Sequence, residues 1–456
     1  MRRNGQLRGR GPVIRRFFSG SEWRQDVLRT NLWLIPAVEI IGAVVLFICT
    51  YALDQAAYHG VFRVPGWAIS GSPDVARTVL TAIAAAVITV IGVVFSIVIV
   101  ALTLTSTQFG PRMLRTFIRD RGTQLTLGTF VGTFVYAILT LGSVGQGSHG
   151  SFVPHISVTM TLVLTLVDVG VLVYFLHHIA VQIQLPQVIA GIAGDLQSAI
   201  ELQTSEDAGG PDSELATVVI ASMEGKGGAI AAPRSGYLQY IEHEKLVQVA
   251  AEVDAVVHVL YRPGHFIVQG HPYVRVWPAG AADKVSSELA GAHVTGPYRT
   301  LAQDVSFGMD QLVEIAIRAL SAAVNDTFTA LTCIDWIGDS LYKVTGRWQP
   351  TRVYRDGEGV VRVIATETTY ARLVSRGFEK IRQASRGMPA VMIRQLDALA
   401  RIMERTVTDS DREILLRQAA MINRLSESTV DEPCDREDID RAYQAVLAAH
   451  AHALAV

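Results

Sequence analysis

The sequence TVLTAIAAAVITVIGVVFSIVIVALTLTST, residues 78–107, contains no charged side chain. As an α-helix it would be roughly 45 Å long, which exceeds the ~30 Å hydrocarbon core of a lipid bilayer. An apolar helix of this length predicts a membrane span that tilts or projects beyond the lipid. This stretch therefore decides the class of the fold.

Three further apolar stretches reach the length of a spanning helix. They cover residues 32–53, 125–144 and 155–183. The chain has 456 residues, of which only 18% are charged, and the charge deficit is concentrated in residues 32–183. The sequence therefore predicts an integral membrane α-helical protein with four transmembrane helices, and it excludes both a single soluble globule and a fully embedded transporter.

Arginine alternates across the predicted spans, and this alternation indicates their orientation. Residues 1–31 form a basic segment, the 108–124 loop carries four arginines, and the short loop near Gly147 carries no basic residue. We therefore expect both termini and the large C-terminal region to lie in the cytoplasm. The N-terminal arginines are either a topology signal alone or also contacts to anionic lipid head groups.

The second predicted helix carries a stripe of small and hydroxyl-bearing residues at helical spacing. The stripe consists of Ala85, Thr89, Gly92, Ser96, Thr103 and Ser106. Such a face either packs closely against another helix or lines an aqueous path in an oligomer. The third helix adds Gly128-x-x-x-Gly132, a spacing typical of helix contacts.

Two carboxylates interrupt the apolar stretches, Glu39 in the first and Asp168 in the fourth. An acidic side chain within the bilayer is costly, so it is expected to face the bundle or a water path. Each is either an ion or proton site or a hydrogen-bonding partner of a neighbouring helix. His177 and His178, near the end of the fourth span, are interpreted as interfacial anchors.

The segment after the second helix begins with Gln108, Phe109, Gly110, Pro111 and Arg112, in which Gly-Pro is expected to end the helix. Related motifs follow at Asp120, Gln124, Leu127, Gly128, Phe130, Phe134 and Tyr136; at 235–241 with 262–264; and at 307–312 with Asn325 and Asp326. With these motifs the chain resembles a family of bacterial membrane proteins catalogued as domain of unknown function 2254. The resemblance implies a bacterial cytoplasmic (inner) membrane location and no known activity. At Ala322 and Thr327 this chain departs from the family, which tends to carry proline there.

The soluble half is expected to be an α+β region. Residues 184–228 form a connector and linker, 229–300 a small β-rich domain, and 301–456 a mostly helical domain with a β-hairpin near 352–365. The β-rich domain resembles a barrel-sandwich module, but it lacks the hairpin lysine of a biotinyl or lipoyl carrier. His258, His265 and His271 match no metal-ligand spacing. Asp326 fits a helix N-cap, which is favoured over a cation site or water activation by Asn325 and Asp326.

No nucleotide-binding loop, nucleophile motif or paired cysteine pattern occurs in the chain, so an enzyme, a cofactor and a metal are not expected. The net charge of -2 argues against nucleic acid as a partner. The remaining hypotheses are a homo-oligomeric ion channel or conductance-type transport protein with a cytoplasmic assembly domain, or a non-conducting membrane sensor or scaffold. A transport role requires oligomerisation, because four helices are too few for an inverted repeat within one chain.

Overall fold

The computed structural model describes residues 33–61, 63, 71–109, 120–147, 150–203, 212–289, 291–348, 350 and 352–455. Within these ranges four helices are long and apolar enough to cross a membrane. They are α1 (Leu34–Tyr58), α2 (Pro73–Phe109), α3 (Arg121–Ser143) and α4 (His155–Gln182). The prediction of four apolar spans is therefore confirmed, and α1 and α2 are each longer than their apolar stretches.

Helix α3 is the central helix of this group, since it packs against α1, α2 and α4. Its glycines make the contact with α1 possible: a Cβ atom at Gly128 would lie 2.9 Å from Pro36 Cα, and one at Gly132 would lie 3.5 Å from Ala43 Cβ. The two backbones can approach this closely only because position 128 has no side chain. The Gly128-x-x-x-Gly132 spacing is therefore a helix contact, as predicted.

Helix α2 buries one face against α3 and α4. The buried residues of this contact are Val87, Ile91, Val94, Ala101, Leu127, Phe130, Phe175 and Ile179. On α2 they recur at intervals of three, four and seven residues, which is the spacing of a single helical face.

The described residues divide into two compact units, and the membrane helices belong to the larger. This unit also contains α5 (Leu185–Gln203), α9 (Val305–Ala319), α10 (Thr327–Val344), α11 (Tyr370–Ala384), α12 (Pro389–Met403), α13 (Asp409–Thr429) and α14 (Pro433–Ala455). Their apolar faces form one core, in which Leu312, Ile337 and Phe378 are completely buried. A short β1–β2 hairpin (Gly145–Gly147, Gly150–Phe152) joins α3 to α4.

The smaller unit is rich in β-structure and is drawn from residues 206–304 and 349–367. Its strands are β3 (Gly228–Ala231), β4 (Gly236–Ile241), β5 (Val256–Val259), β6 (Phe266–Ile267), β7 (Pro272–Trp277), β8 (His293–Gly296), β9 (Val353–Arg355) and β10 (Val361–Ile364). Its helices are α6 (Asp212–Met223), α7 (His243–Glu252) and α8 (Ala282–Leu289).

These strands form a five-stranded sheet with the order β3-β7-β5-β10-β9 and a three-stranded sheet with the order β6-β4-β8. The β9–β10 hairpin comes from the part of the sequence assigned to the helical region. It joins the sheet because β10 pairs in parallel with β5, with Val363 opposite Val257. Both valines are fully buried, so the hairpin completes the core of this unit.

Candidate functional site

The carboxyl group of Asp168 lies within the membrane helices, between α4 and α3. Its Oδ1 accepts a hydrogen bond from Thr133 Oγ1 at 3.1 Å, and the residue is 3% exposed. Oδ2 has no hydrogen-bond partner among the described residues. The structure thus supplies the threonine partner that one interpretation of the sequence anticipated, but this partner satisfies only one of the two oxygens.

A second buried carboxylate, Asp54, lies at the end of α1 and was not identified from the sequence. It caps α4: Oδ1 accepts from the Ile156 N–H at 2.8 Å, and Oδ2 accepts from the Ser157 N–H at 2.9 Å and from Ser157 Oγ at 2.7 Å. The residue at the N-cap position is Pro154, whose side chain cannot accept a hydrogen bond. The first turn of α4 therefore receives its acceptor from another helix, and a negative charge is favourable at this positive end of the helix dipole.

Hydroxyl groups extend the Asp54 contact to α3. The Tyr136 hydroxyl lies 2.7 Å from Thr50 Oγ1, and Ser157 Oγ lies 3.1 Å from the same atom. Tyr136 is fully buried and Thr50 is 4% exposed. The network therefore ties α1, α3 and α4 together at one end of the bundle.

At the other end of the bundle, Asp120 makes a comparable contact between α3 and α4. It accepts from the Thr123 N–H at 2.7 Å, which caps α3, and it lies 2.8 Å from His178 Nε2. Gln182 Nε2 donates to its other oxygen at 3.0 Å. His178, interpreted from the sequence only as an interfacial anchor, thus links two membrane helices.

Glu39 lies on α1 beside Gly128 and Thr129 of α3. Its Oε2 has no hydrogen-bond partner in the part of the chain that the structure describes. The carboxylate fills the space that a side chain at position 128 would occupy. The two acids singled out from the sequence, Glu39 and Asp168, thus both contact α3, but at levels about five residues or 7.5 Å apart along the helix axis.

The stripe on α2 faces away from the chain's own helices. Ala85, Thr89, Gly92, Ser96 and Thr103 are all exposed, and no atom lies within 4 Å of a Cβ built at Gly92. The hydroxyl of Thr89 donates to the carbonyl four residues earlier at 2.7 Å, and the hydroxyl of Thr103 does the same at 2.9 Å. Within one chain the stripe therefore does not pack against another helix among the described residues, and its two interpretations both require a further copy of the chain.

Three residues of the first family motif, Gly110, Pro111 and Arg112, lie outside the described residues. For the other two, Gln108 and Phe109, only the helical backbone of α2 is described. The same holds for Ser106, the last residue of the α2 stripe.

In the helical part, Asp326 is the N-cap of α10 and accepts from the Thr329 N–H at 3.1 Å, so its predicted structural role is confirmed. Asn325 precedes it with φ +51°, in the left-handed region that asparagine tolerates. The same turn exposes two large apolar side chains, Val324 at 54% and Phe328 at 82%. The turn thus presents an apolar surface beside a rigid cap.

In the β-rich unit, the Arg262-Pro263-Gly264 motif lies against Asp304. Arg299 donates from Nε to Asp304 Oδ2 at 2.7 Å, and Arg262 Nη1 is 3.8 Å from Oδ1. Gly264 has φ +91°, and a Cβ there would collide with the Asp304 carboxylate, so only glycine fits. This motif therefore stabilises a buried ion cluster.

Nearby, burial raises the pKa of Glu367 to about 8, against the opposing effect of Arg262 and Arg352.

The three histidines considered as metal ligands from the sequence do not share one element of this unit. His258 is on β5, and His265 and His271 lie before and after β6. Burial lowers the pKa of His258, and the charges of Arg275 and Arg352 lower it further. His258 is therefore favoured in its neutral form within the sheet.

Comparison with known proteins identifies relatives across most of the chain. Residues 29–401 match the family described as "Predicted membrane protein (DUF2254)". The chain is 30% identical over 418 residues to uncharacterized protein Rv1290c of Mycobacterium tuberculosis and to uncharacterized protein Mb1321c of Mycobacterium bovis, covering 90% of this chain and 79% of each relative. No solved structure matches the chain. With its four apolar helices and a match over most of its length, the chain belongs to this family of predicted membrane proteins.

Proposed function

We propose that the protein is a non-enzymatic, homo-oligomeric ion channel or conductance-type transport protein of the bacterial inner membrane, in which α2 lines the pore. The observation that carries this proposal is the position of the α2 stripe. Val87, Ile91 and Val94 bury one face of α2 inside the chain, while Gly92 and Ser96 lie on the exposed opposite face.

Small residues on an outward face are unusual for a helix surrounded by lipid alone, since small side chains serve mainly to let helices approach. Further copies of the chain would bring these faces together around a common axis. At that axis the small side chains leave room for water, and the hydroxyls of Thr89, Ser96 and Thr103 offer oxygen atoms to an ion.

In this proposal both termini lie in the cytoplasm, as the arginine distribution indicates. The cytoplasmic part would hold the subunits together and control opening, with the small β-rich unit, similar to a barrel-sandwich, acting in assembly. The N-terminal arginines would contact anionic lipids of the inner leaflet.

Single cysteines test the pore. Gly92→Cys, Ser96→Cys and Thr103→Cys should react rapidly with a small, water-soluble thiol reagent, because such reagents attack the thiolate and need water at the sulfur. The background would carry serine in place of Cys49 and Cys434, the exposed native cysteines.

Two matched positions on α2 serve as controls. Val94→Cys probes the face buried in the chain, and Val93→Cys probes a side chain that is 53% exposed beside the stripe. Rapid reaction at the three stripe positions with slow reaction at both controls would support the pore. Equally slow reaction at all five positions in an intact oligomer would refute it.

A membrane sensor or scaffold is the second candidate, favoured by the exposed apolar turn at Val324 and Phe328. An exposed phenylalanine beside a helix cap is typical of a contact surface for a partner. Phe328→Ser should abolish partner capture without altering ion flux if this candidate is correct. Lost flux in the same variant would favour gating of a channel.

A further inference from the structure

The polar residues around Asp168 are distributed unequally along the bundle. On α4, a hydroxyl residue occurs at every turn between the Asp54 end and Asp168, namely Ser157, Thr161 and Thr165. Their spacing of four, four and three residues places all of them on one side of α4. Ser157 and Thr161 are fully buried inside the bundle, and Thr165 is half-buried.

Helix α3 adds hydroxyls to the same part of the bundle. Thr133 contacts Asp168 directly, and Thr140, seven residues further toward the Asp54 end, is fully buried. The Tyr136 hydroxyl lies between these levels and reaches Thr50, which connects to Ser157 and so to Asp54. Hydroxyl groups therefore extend from Asp168 to the Asp54 end on both helices.

Between Asp168 and the opposite end of the bundle, the contact of α4 with α2 and α3 is apolar instead, although α3 also carries the buried polar residues Gln124 and Thr126 at this end. Leu127, Phe130, Phe175 and Ile179 occupy it, with Phe175 fully buried and Phe130 2% exposed. Phe175 lies seven residues after Asp168, on the same face of α4. Two aromatic rings thus separate Asp168 from the Asp120–His178 contact.

We propose that Asp168 is a proton-binding site that exchanges protons with water at the Asp54 end of the bundle only, through these hydroxyls. The proposal does not rest on the proposed pore, because every residue involved belongs to one chain. Its starting point is Oδ2, a carboxylate oxygen of a residue that is 3% exposed and has no partner for that atom among the described residues. An unpaired negative charge at this depth is costly, so the carboxyl group is stable there when a proton or another cation neutralises it.

The small number of oxygen atoms around Asp168 favours a proton over a metal cation. Hard metal cations in proteins are surrounded by about six or more oxygen ligands. Here the carboxylate and Thr133 Oγ1 are the oxygens that the described contacts bring together. A proton, by contrast, requires only the lone pair of Oδ2.

The exchange step is a simple proton transfer. A hydronium at the Asp54 end gives a proton to the first hydroxyl and becomes water. Each hydroxyl accepts a proton on a lone pair, and its original O–H bond breaks as that proton moves to the next oxygen. The proton released by the last hydroxyl forms an O–H bond with Asp168 Oδ2. Thr161 and Thr165 each donate to the carbonyl four residues earlier, so their oxygen lone pairs are available to accept, and each hydroxyl must rotate away from that carbonyl to pass its proton on. Neighbouring hydroxyls are about 6 Å apart along the helix axis, so the path requires one bridging water between them.

The helices packed around Asp168 carry other titratable groups. Helix α1 contributes Glu39 and Asp54, α3 contributes Tyr136, and α2 has no titratable residue between 78 and 104. Asp54 is fully engaged by three donors, whereas Glu39 is separated from Asp168 by about five residues of α3, or 7.5 Å along the helix axis.

The test uses infrared difference spectroscopy of the full-length protein oriented in vesicles, with the pH changed on one side at a time. We expect a protonated-carboxyl band that is missing in Asp168→Asn, an isosteric change whose amide oxygen can still accept from Thr133. The band should respond to pH on one side only. A membrane-impermeant maleimide on Gly142→Cys, an exposed position near the Asp54 end of α3, identifies that side.

Removing the hydroxyls distinguishes a proton path from a merely buried acid. Thr161→Val with Thr165→Val should slow the exchange at least about tenfold, which corresponds to about 1.4 kcal/mol in the barrier. Thr81→Val, the same change at an exposed position of α2, is the matched control. Thr165→Val alone serves if the double variant does not fold.

Four results would overturn the proposal. These are the absence of an Asp168-dependent band, equal response to pH from both sides, an unchanged exchange rate in the valine variants, or a band displaced by Na⁺ at constant pH. The last result would identify a metal cation as the ligand.

Discussion

Replacing Asp54 with alanine is expected to weaken the packing of the membrane helices more than any loss of a surface charge would. The substitution removes the acceptor for the Ile156 and Ser157 N–H groups and for the Ser157 hydroxyl. Loss of the cap costs about 1–2 kcal/mol, and loss of a hydroxyl bond to a carboxylate costs about 1.5–3 kcal/mol. Together these predict a decrease of roughly 2.5–5 kcal/mol in the free energy of unfolding, because Pro154 offers no replacement acceptor.

The assay is reversible unfolding in mixed micelles with increasing dodecyl sulfate, followed by circular dichroism. Asp54→Asn should lower the free energy of unfolding by about half as much as Asp54→Ala does, since the amide oxygen can still accept from one N–H group. Asp74→Ala is the matched control, because Asp74 lies at the start of a membrane helix but its side chain is 93% exposed.

A double-mutant cycle isolates the contact itself. Asp54→Ala and Ser157→Ala should show a coupling energy of about 1 kcal/mol or more, as expected for groups in one hydrogen-bond network. A loss of stability in Asp54→Ala below about 0.5 kcal/mol, the range of neutral surface changes, would refute the argument.

Further predictions concern stability, thiol reactivity and topology. Gly128→Ala should destabilise the α1–α3 contact by about 1–3 kcal/mol, whereas Gly142→Ala, which has no atom within 4 Å of its Cβ, should be neutral in the same micelle assay; equal stability of the two would contradict this. Burial lowers the pKa of His243 to about 4. As the pH drops, the unfolded chain therefore binds a proton at this histidine before the folded chain does. The free energy of unfolding should fall by at most about 3 kcal/mol between pH 6.5 and pH 4. His243→Phe should keep the stack on Tyr354 and remove this pH dependence in thermal unfolding scans, and an unchanged pH profile would count against it. Cys333 is fully buried, and burial raises its pKa to about 12, so a thiol reagent should label the exposed Cys434 in the folded protein but Cys333 only after the protein unfolds. A reporter fused after Val456 should be active only in its cytoplasmic form, and one near Gly147 only in its external form.

The sequence by itself determined the features that depend on neighbouring residues. Four apolar stretches predict four spanning helices because the lipid thickness sets a minimum apolar length. Asp326 predicts the start of α10 because an N-cap acts on backbone groups two and three residues away. The Gly128-x-x-x-Gly132 spacing predicts a close helix contact, although not the identity of the partner helix.

Only the tertiary structure decided which faces meet. Asp54 caps a helix that begins about 100 residues later, Asp168 bonds to a threonine 35 residues earlier, and the β9–β10 hairpin joins a sheet whose other strands end at Trp277. Helical periodicity defines a face but not its neighbour, so the outward direction of the α2 stripe could not be predicted either. These pairings depend on how distant helices and strands pack, because burial is favourable for many combinations of apolar faces and the final choice rests on the polar groups that must find partners inside.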